Sequence, residues 1–446
     1  MKALRIIKSH SNSDGKKQPL KMIIYGGAGA GKSYLIDAIV NELDDKVSVN
    51  ATTGVSAFHI GGTTIDSTLK LHVKNLKSQV LRELQENLKN IEYLIIDEMS
   101  MMGQTKLLKL SNRLKEIKAT DLPFGGISII LVGHFAQLPP VGDCAMWKPP
   151  TKSSRDSEKQ GYALYKSFNQ IIKLIESKRH KDKQWIELLN RVCEGEINKE
   201  DWKILCSRDP RLMKKLPDNF EDIVRLYGAN ADALDYNLDR LQKLKKPIAK
   251  IVGIHSDKFA MGSKPQKAWG LEAVLYLSVG AKIMLRNNLL TKYGLVNGAE
   301  GYVVDIIYDT NSTTDLMPKA IIVEFPDYTG DCLIPEYPDR KLIPIFPFEA
   351  HWVERGESRS RLNFPIRLSW AMTIHKSQGL TMDAAVIDIG KQDIGTGSTY
   401  VALSRLRSLQ GCYFNAVSFD RLEQINDNTL LRMRQRAESK LEQQET

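Results

Sequence analysis

An α/β fold is predicted by three observations on the sequence. Short apolar runs alternate with helical patterns through residues 20–150, and the first run enters a glycine-rich turn that opens directly into a helix pattern. From Val279 to Phe348 the pattern changes to short β-rich runs broken by Gly, Asn, Asp and Pro. Buried-strand character then returns at Ile366–Ala371 and Ala384–Ile389, as though an interrupted α/β layer were completed.

Met22–Tyr25 reads as a buried strand, Lys32–Leu43 as the helix after the glycine turn, and Glu92–Ile96 and Ile127–Val132 as further strands. Lys106–Ile117 carries apolar residues at helical spacing, and a parallel sheet covered by helices accounts for the alternation. The polar, proline-bearing stretch 148–160 reads as a linker, with a second unit starting near Tyr162 and holding a strand at Ile223–Tyr227. The stretch 279–358 is expected to be an inserted β-barrel, and the residues from Thr429 a charged, helical, solvated tail.

Composition narrows the class. A chain of 446 residues suggests roughly two to four compact units. It has no run of about 18 apolar residues, so a membrane span is not expected, and the polar, basic start lacks the apolar centre of a secretory signal. Five scattered cysteines, without a CxxC pair, argue against a metal centre or disulfide framework and for a reducing compartment. The net charge of +10 favours a polyanionic partner.

Gly26-Gly27-Ala28-Gly29-Ala30-Gly31-Lys32-Ser33 fits the phosphate-loop pattern GxxxxGK[ST] in the strand-to-helix position where it works. Glycines let the backbone curl so that its N–H groups and the helix N-terminus face phosphates. Lys32 is expected to neutralise the β and γ phosphates of ATP, and the Ser33 hydroxyl to hold Mg2+. Tyr93–Ile96 ends in Asp97-Glu98, the place where such an ATPase needs a second magnesium ligand, Asp97, and a base for the attacking water, Glu98.

The remaining expectations come from resemblance. Asp97-Glu98-Met99-Ser100-Met101-Met102, Pro123-Phe124-Gly125-Gly126 and Gly133-His134-Phe135-Ala136-Gln137-Leu138-Pro139-Pro140-Val141 resemble the Pif (petite integration frequency) family of superfamily 1 helicases. Thr373-Ile374-His375-Lys376-Ser377-Gln378-Gly379 is similar to that family's fifth motif and Tyr400-Val401-Ala402-Leu403-Ser404-Arg405 to its sixth. Gly54–Thr64 is similar to its second, and Gly294-Leu295-Val296-Asn297-Gly298 to the entry of its inserted barrel. The match runs from Leu20 to about Cys412, and the opening Gln18-Pro19-Leu20 resembles the Pif-like helicase module of Helitron transposons.

The resemblance implies two RecA-like P-loop domains with parallel sheets and a small inserted SH3-like β-barrel. The expected domains are a polar segment at 1–19, a first RecA-like domain at 20–150 with a wedge near 66–90, and a second at 161–278 and 359–428. The barrel occupies 279–358 and the tail 429–446. It implies γ-phosphate contacts from Gln137, Arg179 and Arg405, the last an arginine finger. Nucleic-acid contacts are implied for Thr53, Gly54, Thr64, Thr373, His375, Lys376, Ser377 and Gln378. The activity implied is that of an ATP-dependent DNA helicase, a monomeric motor moving 5′ to 3′ on single-stranded and forked DNA, with quadruplex DNA a further candidate. Its cellular context would be repair, recombination and telomere or genome maintenance. The alternative is a transposon-derived relic that binds nucleic acid and hydrolyses ATP weakly.

Three positions depart from the family pattern: His134 stands where Asp is usual, Asp66 where His is usual, and no adenine-reading glutamine lies in a helix before the phosphate loop. His134 is expected to face a nucleic-acid phosphate, where a partly cationic imidazole is tolerated.

Overall fold

The computed structural model describes residues 2–13, 18–73, 75–175, 182–265, 267–309, 317–354, 357–390 and 397–443. The chain divides into two compact units, Met1–Asp218 with Ile374–Thr446, and Asn219–Thr373.

In the first unit, β1 (Lys21–Gly26), β2 (Val47–Ala51), β3 (Thr63–Thr64), β4 (Tyr93–Asp97), β5 (Ser128–Gly133) and β6 (Gln170–Leu174) form a six-stranded sheet in the order β3-β2-β4-β5-β1-β6. Every pair in it is parallel. Side chains alternate across a strand, so both faces must be covered. Met22, Ile24, Tyr93, Ile95, Ile130 and Val132 pack with Ala3 and Ile7 of α1 (Lys2–Ser11) and with Ile36, Ile39 and Leu43 of α2 (Lys32–Leu43). The alternate residues Ile23, Tyr25, Leu94, Ile96, Ile129 and Leu131 pack on the other side. After α3 (Gly54–His59), α4 (Ile65–Leu69) and α5 (Ser78–Asn87) comes α6 (Gln104–Lys118), whose Leu107, Leu110, Leu114 and Ile117 cover that second face. Each such aliphatic side chain contributes about 1.5–3 kcal/mol on full burial.

The expected boundary at 150–161 is corrected. Helix α7 (Asp156–Lys166) begins inside the supposed linker and lies so close to α6 that a Cβ on Gly161 would come within 1.9 Å of the Gln104 carbonyl oxygen. β6 then pairs with β1, so residues up to 174 extend the first sheet. The N-terminal segment is not merely polar either: α1 buries Ala3 and Ile7, and His10 Nδ1 lies 2.6 Å from the Tyr93 hydroxyl. Helices α8 (Lys183–Glu194) and α9 (Lys199–Cys206) follow.

The second unit opens with β7 (Arg225–Tyr227) and α10 (Asn230–Lys243), continues through β8 (Ala249–Val252), β9 (Ile254–His255) and α11 (Lys258–Gly262), and is otherwise β-rich. β10 (Val274–Leu277) pairs with β8. β11 (Lys282–Leu285), β12 (Glu300–Ile307), β13 (Ala320–Glu324) and β14 (Leu342–Ile345) are joined by a later strand, β17 (Ile366–Leu368), in an antiparallel sheet ordered β14-β13-β12-β11-β17. Between them in sequence, β15 (Phe348–Glu354) and β16 (Glu357–Asn363) pair antiparallel, with β9 on the edge of β16. Ile283, Leu285, Val303, Ile321, Val323, Ile343, Ile345 and Ile366 build this unit's core. The expected range 279–358 is therefore too short, because β17 closes on β11. Ile366–Leu368 belongs to this antiparallel sheet and not to a parallel one. β18 (Ala371–Thr373), immediately after it, does pair parallel with β7.

The C-terminal part of the first unit holds β19 (Ala385–Asp388) and β20 (Cys412–Phe414) as a parallel pair, together with the helices α12 (Ser398–Ser404), α13 (Phe419–Glu423) and α14 (Thr429–Glu442). The expectation of a solvated tail is corrected by α14. Leu431, Arg434 and Leu441 are buried, and Leu441 joins the core beside Tyr165. Arg434 Nη2 donates to the Cys193 carbonyl at 2.7 Å, so the helix is fastened to the end of α8. Among the described residues, no helix is long and apolar enough to cross a membrane, and no cluster of three or more His, Cys, Asp or Glu side chains forms a metal cage.

Candidate active site and nucleic-acid interface

The glycine turn between β1 and α2 has the shape its sequence requires. Gly29 and Gly31 sit at φ 77° and 82°, left-handed values that turn the backbone into a cradle at the N-terminus of α2. Lys32 Nζ lies across it, donating to the carbonyls of Gly26 and Gly27 at 2.8 and 2.9 Å, while Ser33 is exposed at the first turn of the helix.

β4 delivers Asp97 and Glu98 to the neighbouring sheet edge, both 8% exposed. Burial, and next the Glu98 charge, push the Asp97 carboxyl up to about 7, against the opposing pull of Lys32. Glu98 is held at φ 54°, a left-handed conformation that costs a residue with a Cβ about 1–2 kcal/mol. The Thr52 hydroxyl donates to the Glu98 carbonyl at 3.0 Å, which ties this turn to the residues that lead into the second motif.

Gln378 gathers the site. Its Nε2 is within hydrogen-bond distance of Gln137 Oε1 (3.1 Å), Ser100 Oγ (3.1 Å) and Glu98 Oε2 (3.3 Å), and all four side chains are buried. Arg405 is buried too, donating to the carbonyls of Val401 and Leu380 and to Ser404 Oγ at 3.0–3.3 Å. Burial lowers its proton affinity, with the nearby Glu98 charge acting in the opposite direction. The structure thus brings the phosphate loop, Asp97, Glu98, Gln137, Gln378 and Arg405 into one compact unit.

The residues expected to meet nucleic acid are distributed as follows. Thr53 and Gly54 open α3, where the Thr53 hydroxyl donates to Ser56 Oγ at 2.9 Å. Thr64 caps α4 by accepting from the Ser67 N–H at 3.3 Å. Gly379, directly after Gln378, passes so near α3 that a Cβ there would lie 2.5 Å from Ser56 Oγ, which brings the second and fifth motifs together. His375 and Lys376 are half-buried on a short 3-10 turn, and burial lowers the His375 pKa. Ser377 is buried, its hydroxyl donating to the Ile374 carbonyl at 2.8 Å, so that group is turned inward. Thr373 is buried on β18 in the other unit. Arg179 lies outside the described residues.

The expectation for His134 is corrected. The residue is buried, its ring centroid 5.6 Å from that of Tyr400, and burial, then Lys32, Arg434 and Lys173, hold its pKa well below 6.5. It is a neutral imidazole beside the phosphate loop and not a cation on an exposed groove. Its Nδ1 has no hydrogen-bond partner among the described residues. Asp66, the second departure, forms an ion pair with Lys106 at 2.6 Å.

Sequence reasoning assigned no role to Tyr400, yet its hydroxyl accepts the Ala28 N–H of the phosphate loop at 3.2 Å. Nor did it single out Ser100 or Ser56, whose small hydroxyls carry no spacing signal of their own.

Comparison with known proteins agrees with this geometry. The PIF1-like helicase model matches residues 3–203, and the model of the Pif1 DNA helicase 2B domain matches residues 271–306. An ATP-dependent DNA helicase Pif1 from Bdellovibrio bacteriovorus is 30% identical over 406 residues, 88% of this chain and 83% of the relative. The ATP-dependent DNA helicase PIF1 of Danio rerio is 31% identical over 91% of this chain, which spans only 60% of that relative's length. The crystal structure of Pif1 helicase from Candida albicans superposes with a TM-score of 0.73 at 25% identity, covering 98% of both chains. The chain belongs to the PIF1-like helicase family.

Proposed function

We propose that this chain is an ATP-dependent DNA helicase that moves 5′ to 3′ along a single strand and separates duplex DNA. The observation that carries the reading is Gln378: one amide bonds both the catalytic-turn carboxylate Glu98 and the phosphate-facing Gln137, while the next residue, Gly379, lies against the second motif. A strand lying over Thr53, Gly54, His375 and Lys376 would shift the segment that holds Gln378 and so release or orient the hydrolytic groups. Contacts of that kind, to sugar and phosphate, position a strand without reading its sequence, as a motor requires.

In the hydrolytic step Lys32 would leave the loop carbonyls for the β and γ phosphates of ATP. Glu98 accepts a proton from the attacking water, Gln137 aligns that water, and Arg405 stabilises charge on the transferred phosphoryl group. The two buried carboxyls at the end of β4, set side by side so that burial and then the Glu98 charge raise the Asp97 pKa, fit a divalent cation, which Asp97 and Ser33 would hold. Bound Mg2+ supplies charge neutralisation on the phosphates.

In domain terms, the six-stranded sheet is read as the first RecA-like domain, the parallel pair β19 and β20 as strands of the second, and the antiparallel sheet of β11–β14 and β17 as the inserted SH3-like barrel. The names of the relatives support DNA as the substrate of an ATP-dependent helicase; single-stranded and forked DNA as partners, action inside the cell and a role in genome maintenance are read from membership of the family. The test is ATP turnover by purified protein with and without single-stranded DNA. A Lys32→Ala variant should lose turnover yet keep DNA binding, and a parent protein whose turnover ignores DNA would overturn the reading.

A further inference from the structure

Resting on the helicase reading, we propose that Arg286 and Arg367, on the face of the antiparallel sheet opposite its aliphatic core in the second unit, form a binding site for the phosphodiester backbone of a single nucleic-acid strand.

The geometry begins with register. β11 and β17 pair antiparallel with Met284 opposite Arg367, and Ile283, Leu285, Ile366 and Leu368 enter the core. Alternation therefore sends Lys282, Met284, Arg286 and Arg367 to the other face. Lys282 is neutralised there by Glu300 at 2.8 Å. The two arginines are not. Arg367 Nε and Nη2 each lie 3.2 Å from the Met284 sulfur, a weak acceptor, and Arg286 Nε is buried with no hydrogen-bond partner among the described residues.

Both side chains are half-buried, so a ligand can reach them although solvent hydrates them poorly. That desolvation, and next the neighbouring Arg286 charge, bring the Arg367 pKa down to about 9, and Glu272 is the carboxylate that opposes both shifts. Arg286 is also held in place. Gly270, at φ 87°, packs on it so closely that a Cβ there would be 3.2 Å from its Cβ and Nε. Two like charges set side by side without a hydrogen-bonded carboxylate disfavour the folded state, and an anion with several oxygens offsets that penalty through bidentate bonds.

The identity of the anion follows from the residue beside Gly270. Trp269 is 52% exposed, and its ring lies 6.0 Å from that of Phe348, itself an exposed aromatic. An exposed aromatic next to paired guanidinium groups is the combination that receives an unstacked base and its phosphate, which favours a single strand over a duplex.

The test is fluorescence anisotropy of the full chain with labelled oligo-dT and, separately, a blunt duplex, over a range of salt. It compares the parent with an Arg286→Met/Arg367→Met double variant, whose melting temperature is also measured. Expected are oligo-dT binding weaker by about tenfold or more and a log–log salt slope shallower by about 0.7 for each phosphate that is no longer neutralised. The melting temperature should stay level or rise, since a like-charge pair has been removed. Parent and variant binding oligo-dT equally would overturn the proposal and leave the helicase reading standing. So would a loss confined to the duplex, or a fall of several degrees in melting temperature, which would make the arginines structural. A parent that binds neither DNA would overturn the helicase reading itself.

Discussion

The Gln378 amide nitrogen lies 3.1 Å from the side-chain oxygen of Gln137, so one hydrogen bond joins the fifth motif to the Gly133–Val141 segment beside Glu98. Replacing Gln378 with Ala removes that bond and the bonds to Ser100 and Glu98. Turnover with single-stranded DNA should fall about tenfold or more, the effect of losing hydrogen bonds to charged and buried polar groups. Basal turnover should fall less. Steady-state ATP hydrolysis with and without oligo-dT checks this, and unchanged stimulation would show that the network does not transmit strand binding.

Arg405 makes its present bonds to carbonyls and to Ser404, none of which needs a positive charge. A buried cation bonded to neutral groups is poised for a transient anion. Arg405→Ala should retain nucleotide binding and lower kcat by about 10³ or more, the size of a lost arginine finger. Nucleotide titration beside single-turnover hydrolysis separates the two effects, and an unaltered kcat would assign Arg405 a packing role.

These predictions rest on parts of the site that were legible in the sequence for a physical reason. The phosphate loop and Asp97-Glu98 are local: strand, turn and helix lie within a few residues, and the backbone conformation demands Gly at defined places. What the sequence hid was set by distant partners. Arg434 and Gln435 look like solvent-facing residues of a charged helix, and their bonds to the Cys193 and Glu194 groups at the end of α8 go with a buried Arg434 and a half-buried Gln435. The run 148–160 has linker composition, but Gly161 allows α7 to dock on α6. Ile366–Leu368 reads as a buried strand in either sheet, since an apolar run does not name its partner. His134 followed the same logic, its ring lying 5.6 Å from that of Tyr400, a partner far away in sequence.

Burial of His134 gives a pH dependence with a definite sign. Its pKa is well below 6.5 in the folded protein and close to about 6.5 in the unfolded chain. The unfolded state therefore binds the extra proton, and stability contributed by the neutral imidazole is complete above pH about 6.5 and is lost as pH falls below it. Lys32, Lys173 and Arg434 are the cations facing it. Relative to the parent, His134→Phe should gain in melting temperature between pH 7.5 and 5.5. Parallel curves over that range would show that His134 titrates normally.

Helix α14 should matter to folding. Arg434→Ala leaves the Cys193 carbonyl and the Glu194 carboxylate without their cation, and should cost about 2–4 kcal/mol. Denaturant melts with single-stranded DNA absent check the value. A change below about 0.5 kcal/mol, the range of ordinary surface substitutions, would return the helix to the role of a solvated tail.

Whether the chain is a directional helicase is decided by strand separation on two duplexes that differ only in carrying a 5′ or a 3′ single-stranded tail, followed with ATP and Mg2+ present and then with ATP omitted. ATP-dependent unwinding of the 5′-tailed duplex, with little of the other, is the expected result. No unwinding of either duplex, by protein that binds the tails, would contradict it.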